Sequence, residues 1–425
     1  MSAGRIVSLW AMMLLQYAIW GAWAVAGGKY MGDPVPQGLG FDGGMQGVLF
    51  GLLPLASIFC TPVIGQFADR YFDSGRILAV LHLVGGLALY NLASAKDYTS
   101  FFWLMLAYSA CYAPTLALTN SIVFVNLSDS TKQFGAIRVA GTIGWIIAGL
   151  VLTAVQSSSM ARPGDLFLLA AAFSIALGLM SFFLPKTPPT KDSKHPLAFL
   201  EALQMLKNRD FLIFMICAFV VGTELEFYYI HTGAFLGSAI SANGVGIPGP
   251  QISTVMTIGQ FAEIAVMLAL PLFVKWLGMR NTIVVGIIAW PIRYAIFALA
   301  PSSEIARNLV VPSLALHGFC YVFFFVAGFI YVDKVAPVAI RASAQALIAF
   351  VVLGLGRWLG SLVAGSVQGY YTTHPDGLSA PALVQWDKVF LVPCVLTIIC
   401  AIIFPILFRG SDDRKIDTDS ISTHA

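Results

Sequence analysis

Three carboxylic acids lie inside apolar runs of the chain. Glu224 and Glu226 fall in Gly222-Thr223-Glu224-Leu225-Glu226, and Glu263 follows one run later in Gln260-Phe261-Ala262-Glu263. The surrounding runs, about 211–240 and 251–274, are long enough to cross a bilayer. A carboxylate at that depth is expensive unless it is paired, protonated or wetted, and a lipid-facing surface has no use for one. The chemistry such acids support is the binding of a polar solute or the handling of a proton inside a protected cavity. The three are therefore candidate proton-coupling groups: Glu263 first, with Glu226 or Glu224.

Spacing sorts them further. Gln260 and Glu263 are three apart and share a helix face. An amide beside a carboxylate fits recognition of hydroxyls or a heterocycle. Glu224 and Glu226 are two apart and point roughly 200° away from each other on a helix. They share one cavity only if the helix breaks near Gly222. One is then functional and the other structural, with Arg293 and Arg357 as candidate ion partners. Arg138 and Thr142, one turn apart, point together, and Ala140, Gly141 and Gly144 permit close packing against another helix. Other candidates to line a cavity are Gln16, Trp20 and Trp23 on one face of the first run, and Thr115, Thr119 and Asn120 after Pro114. Tyr228, Tyr229 and Tyr321 join them, whereas His231 and His317 read as packed side chains.

The elements that must position these residues follow from composition. The chain has 425 residues, 58% hydrophobic and 11% charged, against about 25% charged in a soluble domain. A net charge of +3 with no basic stripe gives no reason to expect a nucleic-acid partner. The six cysteines are dispersed without metal-binding spacing and read as small core residues. No HExxH, nucleophile with paired base, or phosphate-cradling loop is present, so an enzyme is not expected. The first apolar run, 6–31, is too long for a signal-peptide core and reads as a retained span.

Twelve spans of near 20 residues can be drawn. They are 6–31, 45–66, 76–95, 100–124, 136–156, 165–185, 211–240, 251–274, 281–300, 308–332, 342–370 and 388–408. A polar insert from Lys186 to Pro196, followed by an amphipathic segment from Leu197 to Arg209, divides them six and six. The expected organisation is a half at 1–185, a cytoplasmic central loop at 186–210, a second half at 211–408 and a cytoplasmic tail at 409–425. With the N-terminus inside, sixteen Lys and Arg fall in cytoplasmic segments and five outside. Both termini are therefore expected in the cytoplasm. The chain is read as an all-α membrane protein of the inner membrane, contacting lipid and working as a monomer.

The loop after the second span reads Gly65-Gln66-Phe67-Ala68-Asp69-Arg70-Tyr71-Phe72-Asp73-Ser74-Gly75-Arg76. It resembles the loop between spans two and three of the major facilitator superfamily, with one residue added before Gly75. Asp333-Lys334-Val335 and Arg341 echo it in the second half. The resemblance implies gating roles for Asp69, Arg70, Arg76 and Arg341, which would latch one conformation.

Across nearly the whole chain the sequence resembles the bacterial nucleoside:proton symporters of that superfamily. The landmarks are the run 15–23 (LQYAIWGAW), Tyr112-Ala113-Pro114-Thr115-Leu116, Arg138 with Gly141-Thr142-Ile143-Gly144, and Glu224-Leu225. Gln260 with Glu263, Ala289-Trp290 with Arg293, and the run 339–345 (AIRASAQ) complete them. The resemblance implies the superfamily fold, with a nucleoside site near the midplane between two six-helix halves. It implies proton-coupled nucleoside uptake by alternating access, needing no cofactor beyond the proton. Arg138, Thr142, Gln260 and Glu263 match substrate-site positions, and Tyr321, next to the departing position 322, is a further substrate-binding candidate with Glu226 and Tyr229. Three positions depart: Glu226 stands for Gln, Tyr229 for Asn, and Val322 for an Asp of the tenth span. Glu226 is then a candidate to supply the missing charge. A proton-coupled sugar or polyol carrier, or a passive facilitator, remains the alternative reading.

Overall fold

The computed structural model describes residues 3–127, 130–189, 198–373 and 383–410. Much of the expected central insert (190–197) and nearly all of the expected tail (from 411) lie outside them. The twelve expected spans are present as helices: α1 Ala3–Gly32, α2 Gly43–Arg70, α3 Ser74–Leu92, α4 Tyr98–Asn126, α5 Ser130–Gln156, α6 Asp165–Ser181 and α7 Arg209–Gly237. A 48-residue stretch, Ile252–Leu299, is interrupted at Gly278 (φ 76°, ψ 164°), a left-handed backbone that glycine adopts without penalty. It therefore forms two spans, α8 (252–277) and α9 (279–299). A ten-residue helix, Glu304–Ser313, leads into α10 Leu316–Val335, and α11 Arg341–Tyr370 and α12 Trp386–Leu407 follow. A two-residue hairpin, Thr372–Thr373 against Leu383–Val384, lies between the last two.

Helix starts follow their capping residues. Asp42, Asp73 and Asp97 each accept a backbone N–H from the first turn of α2, α3 and α4, at 2.8, 3.0 and 2.8 Å. The Ser100 N–H beside Asp97 holds its carboxyl below the ordinary carboxylate range. At the other end of the chain, Arg280 donates to the carbonyls of Pro405 (2.6 Å) and Phe408 (2.8 Å). A cation there satisfies the orphan carbonyls that end α12.

The chain divides into two compact units. Unit one comprises Met1–Pro196 with Tyr229–Gly237 and Ile247–Thr257. In it α1 packs on α5 and α6, α3 on α4 and α6, and α2 on α4. Small residues set these approaches: a Cβ on Gly144 would strike the Leu14 carbonyl, and one on Gly21 would meet the Trp145 backbone at 2.9 Å. The expected small-residue packing of α5 is thus directed at α1. Trp23 stacks on Phe167 (6.0 Å) and donates to the Tyr108 hydroxyl (3.1 Å) at the centre of this unit.

Unit two comprises Leu197–Tyr228, Ser238–Gly246 and Ile258–Ala425. The expected amphipathic segment is a 3₁₀ helix, Ala198–Lys207, that buries Ala202 and Met205 against the start of α11. Ser343 there donates to Glu201 (3.1 Å). Two stretches of π-helix interrupt the spans, Phe319–Val326 in α10 and Phe350–Gly356 in α11. The first begins two residues after His317 and the second ends immediately before Arg357. Such wide turns change the face on which following residues emerge, and they recur at functional sites. Hydropathy carries no trace of them.

Candidate functional site

Helix α7 runs unbroken through Gly222, so Glu224 and Glu226 point apart as their spacing predicts. Glu226 is 1% exposed and pairs with Arg357 of α11, whose Nε donates to one carboxylate oxygen. The Ser361 hydroxyl donates to the other at 3.0 Å. Arg357 and Ser361 are four apart and occupy one helix face. Glycines bring that face within reach. A Cβ on Gly360 would collide with the Thr223 carbonyl, and one on Gly222 would sit 3.2 Å from the Val352 carbonyl. Backbones this close leave a buried acid and a half-buried cation within one hydrogen bond of each other.

Glu224 is held differently. Thr223 donates to its Oε1 at 3.3 Å, and Tyr294 of α9 donates to its main-chain oxygen at 2.5 Å. Its Oε2 has no hydrogen-bond partner among the described residues.

Arg293, the other expected ion partner, is fully buried and forms no ion pair with an acid among the described residues. Its guanidinium lies over the rings of Tyr228 (4.2 Å), Trp290 (4.7 Å) and Tyr294 (5.1 Å), and Nη1 is 3.4 Å from Nδ1 of His317. Cation–π contact stands in for a counter-ion. Its Nε and Nη2 have no hydrogen-bond partner among the described residues. His317 is therefore more than a packed side chain. It stacks on Tyr228 (4.9 Å, 14°) and lies beside Tyr321 (5.7 Å, 30°). Its Nε2 is 3.9 Å from Oε2 of Glu263, whose side chain is 19% exposed. Gln260 is 6% exposed with Oε1 lacking a hydrogen-bond partner among the described residues. Val322, where the resemblance expects an Asp, is fully buried.

In unit one, Arg138 lies over the Tyr17 ring at 4.0 Å, in space that Gly141 leaves open. Thr142, on the same face, is half-buried. Tyr229 is near Trp145 of α5 (6.4 Å), which in turn meets Trp20 (5.5 Å). Four residues expected to line a cavity are corrected: Gln16, Trp23, Thr115 and Thr119 are buried in packing. Gln16 donates to Thr115 (2.8 Å), and its carbonyl end faces Nε2 of His82 (2.9 Å), which places the ring proton on Nε2. Nδ1 of His82 meets the Ser174 hydroxyl (3.2 Å), and Tyr112 donates to the Gln16 main-chain oxygen (2.6 Å). His82 escaped notice in the sequence because a single histidine in an apolar helix has no distinguishing spacing.

Of the expected gating residues, Arg70 and Arg76 are exposed, and Arg341 lies 3.7 Å from Asp333. The side chain of Asp69 lies outside the described set. The loop holds one further residue of consequence: Asp73 caps α3 and also accepts the Thr187 N–H at 2.7 Å, tying the chain after α6 to the start of α3.

The sequence profile of the nucleoside H+ symporters matches residues 4–413. YegT of Escherichia coli (strain K12) is 36% identical over 97% of this chain and 96% of its own length. The xanthosine permease of the same organism is 30% identical over 97% and 98%. A crystal structure of the nucleoside transporter NupG superposes with a TM-score of 0.82 at 28% identity, covering 95% of this chain and 99% of NupG.

Proposed function

The chain belongs to the nucleoside H+ symporter family and is a proton-coupled nucleoside transporter of the major facilitator fold, and on that premise we propose that Glu263 is its proton-exchanging carboxylate and Glu226 its fixed internal charge. The observation that supports this division is how the two acids are held. Both oxygens of the buried Glu226 are engaged, one by Arg357 and one by Ser361. A proton added there would strand the arginine without its counter-charge. Glu263 is partly open, so water can deliver and remove a proton while its neighbours stay in place.

Glu226 supplies from α7 the negative charge that Val322 no longer carries on α10. Glu224 is the structural member of the pair, tied to α9 through its main chain. In unit two, Gln260 offers an open acceptor to a ring N–H or a ribose hydroxyl, and Tyr321 an aromatic surface. In unit one, Arg138, Thr142 and Tyr229 are the residues assigned to nucleoside recognition. Asp69, Arg70 and Arg76 in one unit, and Arg341 in the other, act as gating residues in alternating access. The excess of Lys and Arg in alternate loops supports a bacterial inner-membrane protein with both termini on the cytoplasmic side, and the monomer is the proposed working unit.

Purified protein in liposomes, given labelled uridine and an inward proton gradient, tests the assignment. Wild-type protein accumulates substrate and Glu263→Gln equilibrates it without accumulation. Accumulation by Glu263→Gln equal to wild type would overturn the role of Glu263.

A further inference from the structure

Three helices, α7, α8 and α9, converge on His317 of α10, and glycines make the meeting possible. A Cβ on Gly318 would press on the Ala262 carbonyl at 2.6 Å, so α10 lies close against α8 one residue from Glu263. A Cβ on Gly259 would meet the Tyr228 hydroxyl at 3.2 Å and the His317 Cβ at 3.3 Å, so that glycine clears room for the stacked rings. Groups that face His317 include Arg293 from α9, Glu263 from α8, Tyr228 from α7 and Tyr321 from α10 itself.

The two nitrogens of His317 have opposite neighbours. Nδ1 faces Arg293 Nη1 at 3.4 Å, and a guanidinium nitrogen only donates. Nδ1 is therefore the acceptor, and the ring proton sits on Nε2. Nε2 in turn faces the Glu263 carboxylate at 3.9 Å. A half-turn of the ring would keep both stacks but set carbon atoms against Arg293 and Glu263, so the two polar contacts select the orientation.

We infer that His317 is a positioning residue for proton exchange at Glu263, its tautomer set by Arg293 so that Nε2–H addresses the carboxylate. This rests on the reading of Glu263 given above. The imidazole does not carry the proton. It favours the ionised carboxylate and sets the pH at which Glu263 lets go.

Difference infrared spectroscopy of the purified protein through a pH titration tests this without substrate. The Glu263 carboxyl band is identified by its loss in Glu263→Gln. In His317→Phe, which keeps an aromatic ring but no N–H, that band titrates about one pH unit higher, because the N–H dipole that faces the charged form from 3.9 Å is gone. His317→Gln, which keeps an N–H near the Nε2 position, stays within a few tenths of a unit of wild type. The alkaline limb of the uptake–pH profile moves with the band. An unchanged midpoint in a folded His317→Phe overturns the inference. Should that variant fail to fold, nitrogen-15 spectra of histidine-labelled wild-type protein decide, with the His317 signal assigned by its absence in His317→Gln. An Nε2–H tautomer supports the inference and an Nδ1–H tautomer overturns it. A shifted band without nucleoside accumulation would count against the transport assignment of Glu263 alone, leaving the coupling to His317 standing.

Discussion

In unit one, Gln16, His82, Thr115, Tyr112 and Ser174 form a buried network of neutral groups, each meeting another at 2.6–3.2 Å. In unit two the buried polar groups include the charged side chains Arg293, Glu224 and Glu226. Among the described residues, Arg293 Nε and Nη2, Glu224 Oε2 and the neutral Gln260 Oε1 have no hydrogen-bond partner. Unit one has such atoms too, at Tyr30, Ser109, Asn120 and Thr232, but on neutral side chains. Both arrangements are costly to build in an apolar interior. A satisfied neutral network holds helices in one register and has nothing to exchange. A charged set with open valences can take up a proton or a ligand, and intramembrane acids are retained for such work. The difference assigns rigidity to α1, α3, α4 and α6, and chemistry to α7 through α11.

The largest test of that contrast is Arg357→Met. It leaves Glu226 buried without its cation and destabilises the protein by about 3–5 kcal/mol, read as a lowered midpoint in chemical or thermal unfolding. The double variant Arg357→Met/Glu226→Gln recovers most of the loss, since the stranded charge is gone. Equal instability of single and double variants would mean that packing at this point matters and charge does not. Next in size, Gln16→Leu strips His82 and Thr115 of partners and costs about 1–3 kcal/mol. It leaves the pH dependence of uptake unaltered, because no charged group is touched. A shifted pH profile in Gln16→Leu would erase the distinction between the units. Smallest is Asp73→Ala, which removes a helix cap and the bond from Thr187, at about 1 kcal/mol. Faster proteolysis near residue 187, with folding otherwise intact, is its expected signature.

Much of this was legible from the residues alone. Length and hydropathy placed the twelve spans, and a two-residue spacing placed Glu224 and Glu226 on opposite faces. Arg357 was legible as one of two possible partners for an acid. Choosing between it and Arg293 needed the approach of α7 to α11, set by Gly222 and Gly360, and residues 131 apart in sequence carry no local sign of meeting. His317 looked like a lone packed histidine because its partners come from α7, α8 and α9. Gln16 and Trp23 looked like cavity residues because periodicity gives a shared face but not what that face meets. The interruption at Gly278 fell between two drawn spans, whereas the π-helical stretches were invisible, since they add a residue without altering composition.

One of those stretches sets how α11 tolerates change. Residues 350–356 hold a surplus residue wound into the helix. Deleting one would let the stretch rewind as ordinary α-helix, fewer residues then covering about the same arc. Arg357 and Ser361 would keep their faces toward Glu226. A deletion in the regular helix beyond the stretch would instead rotate all that follows by about 100°, so a library of single-residue deletions would find 350–356 more tolerant than the turns that flank it.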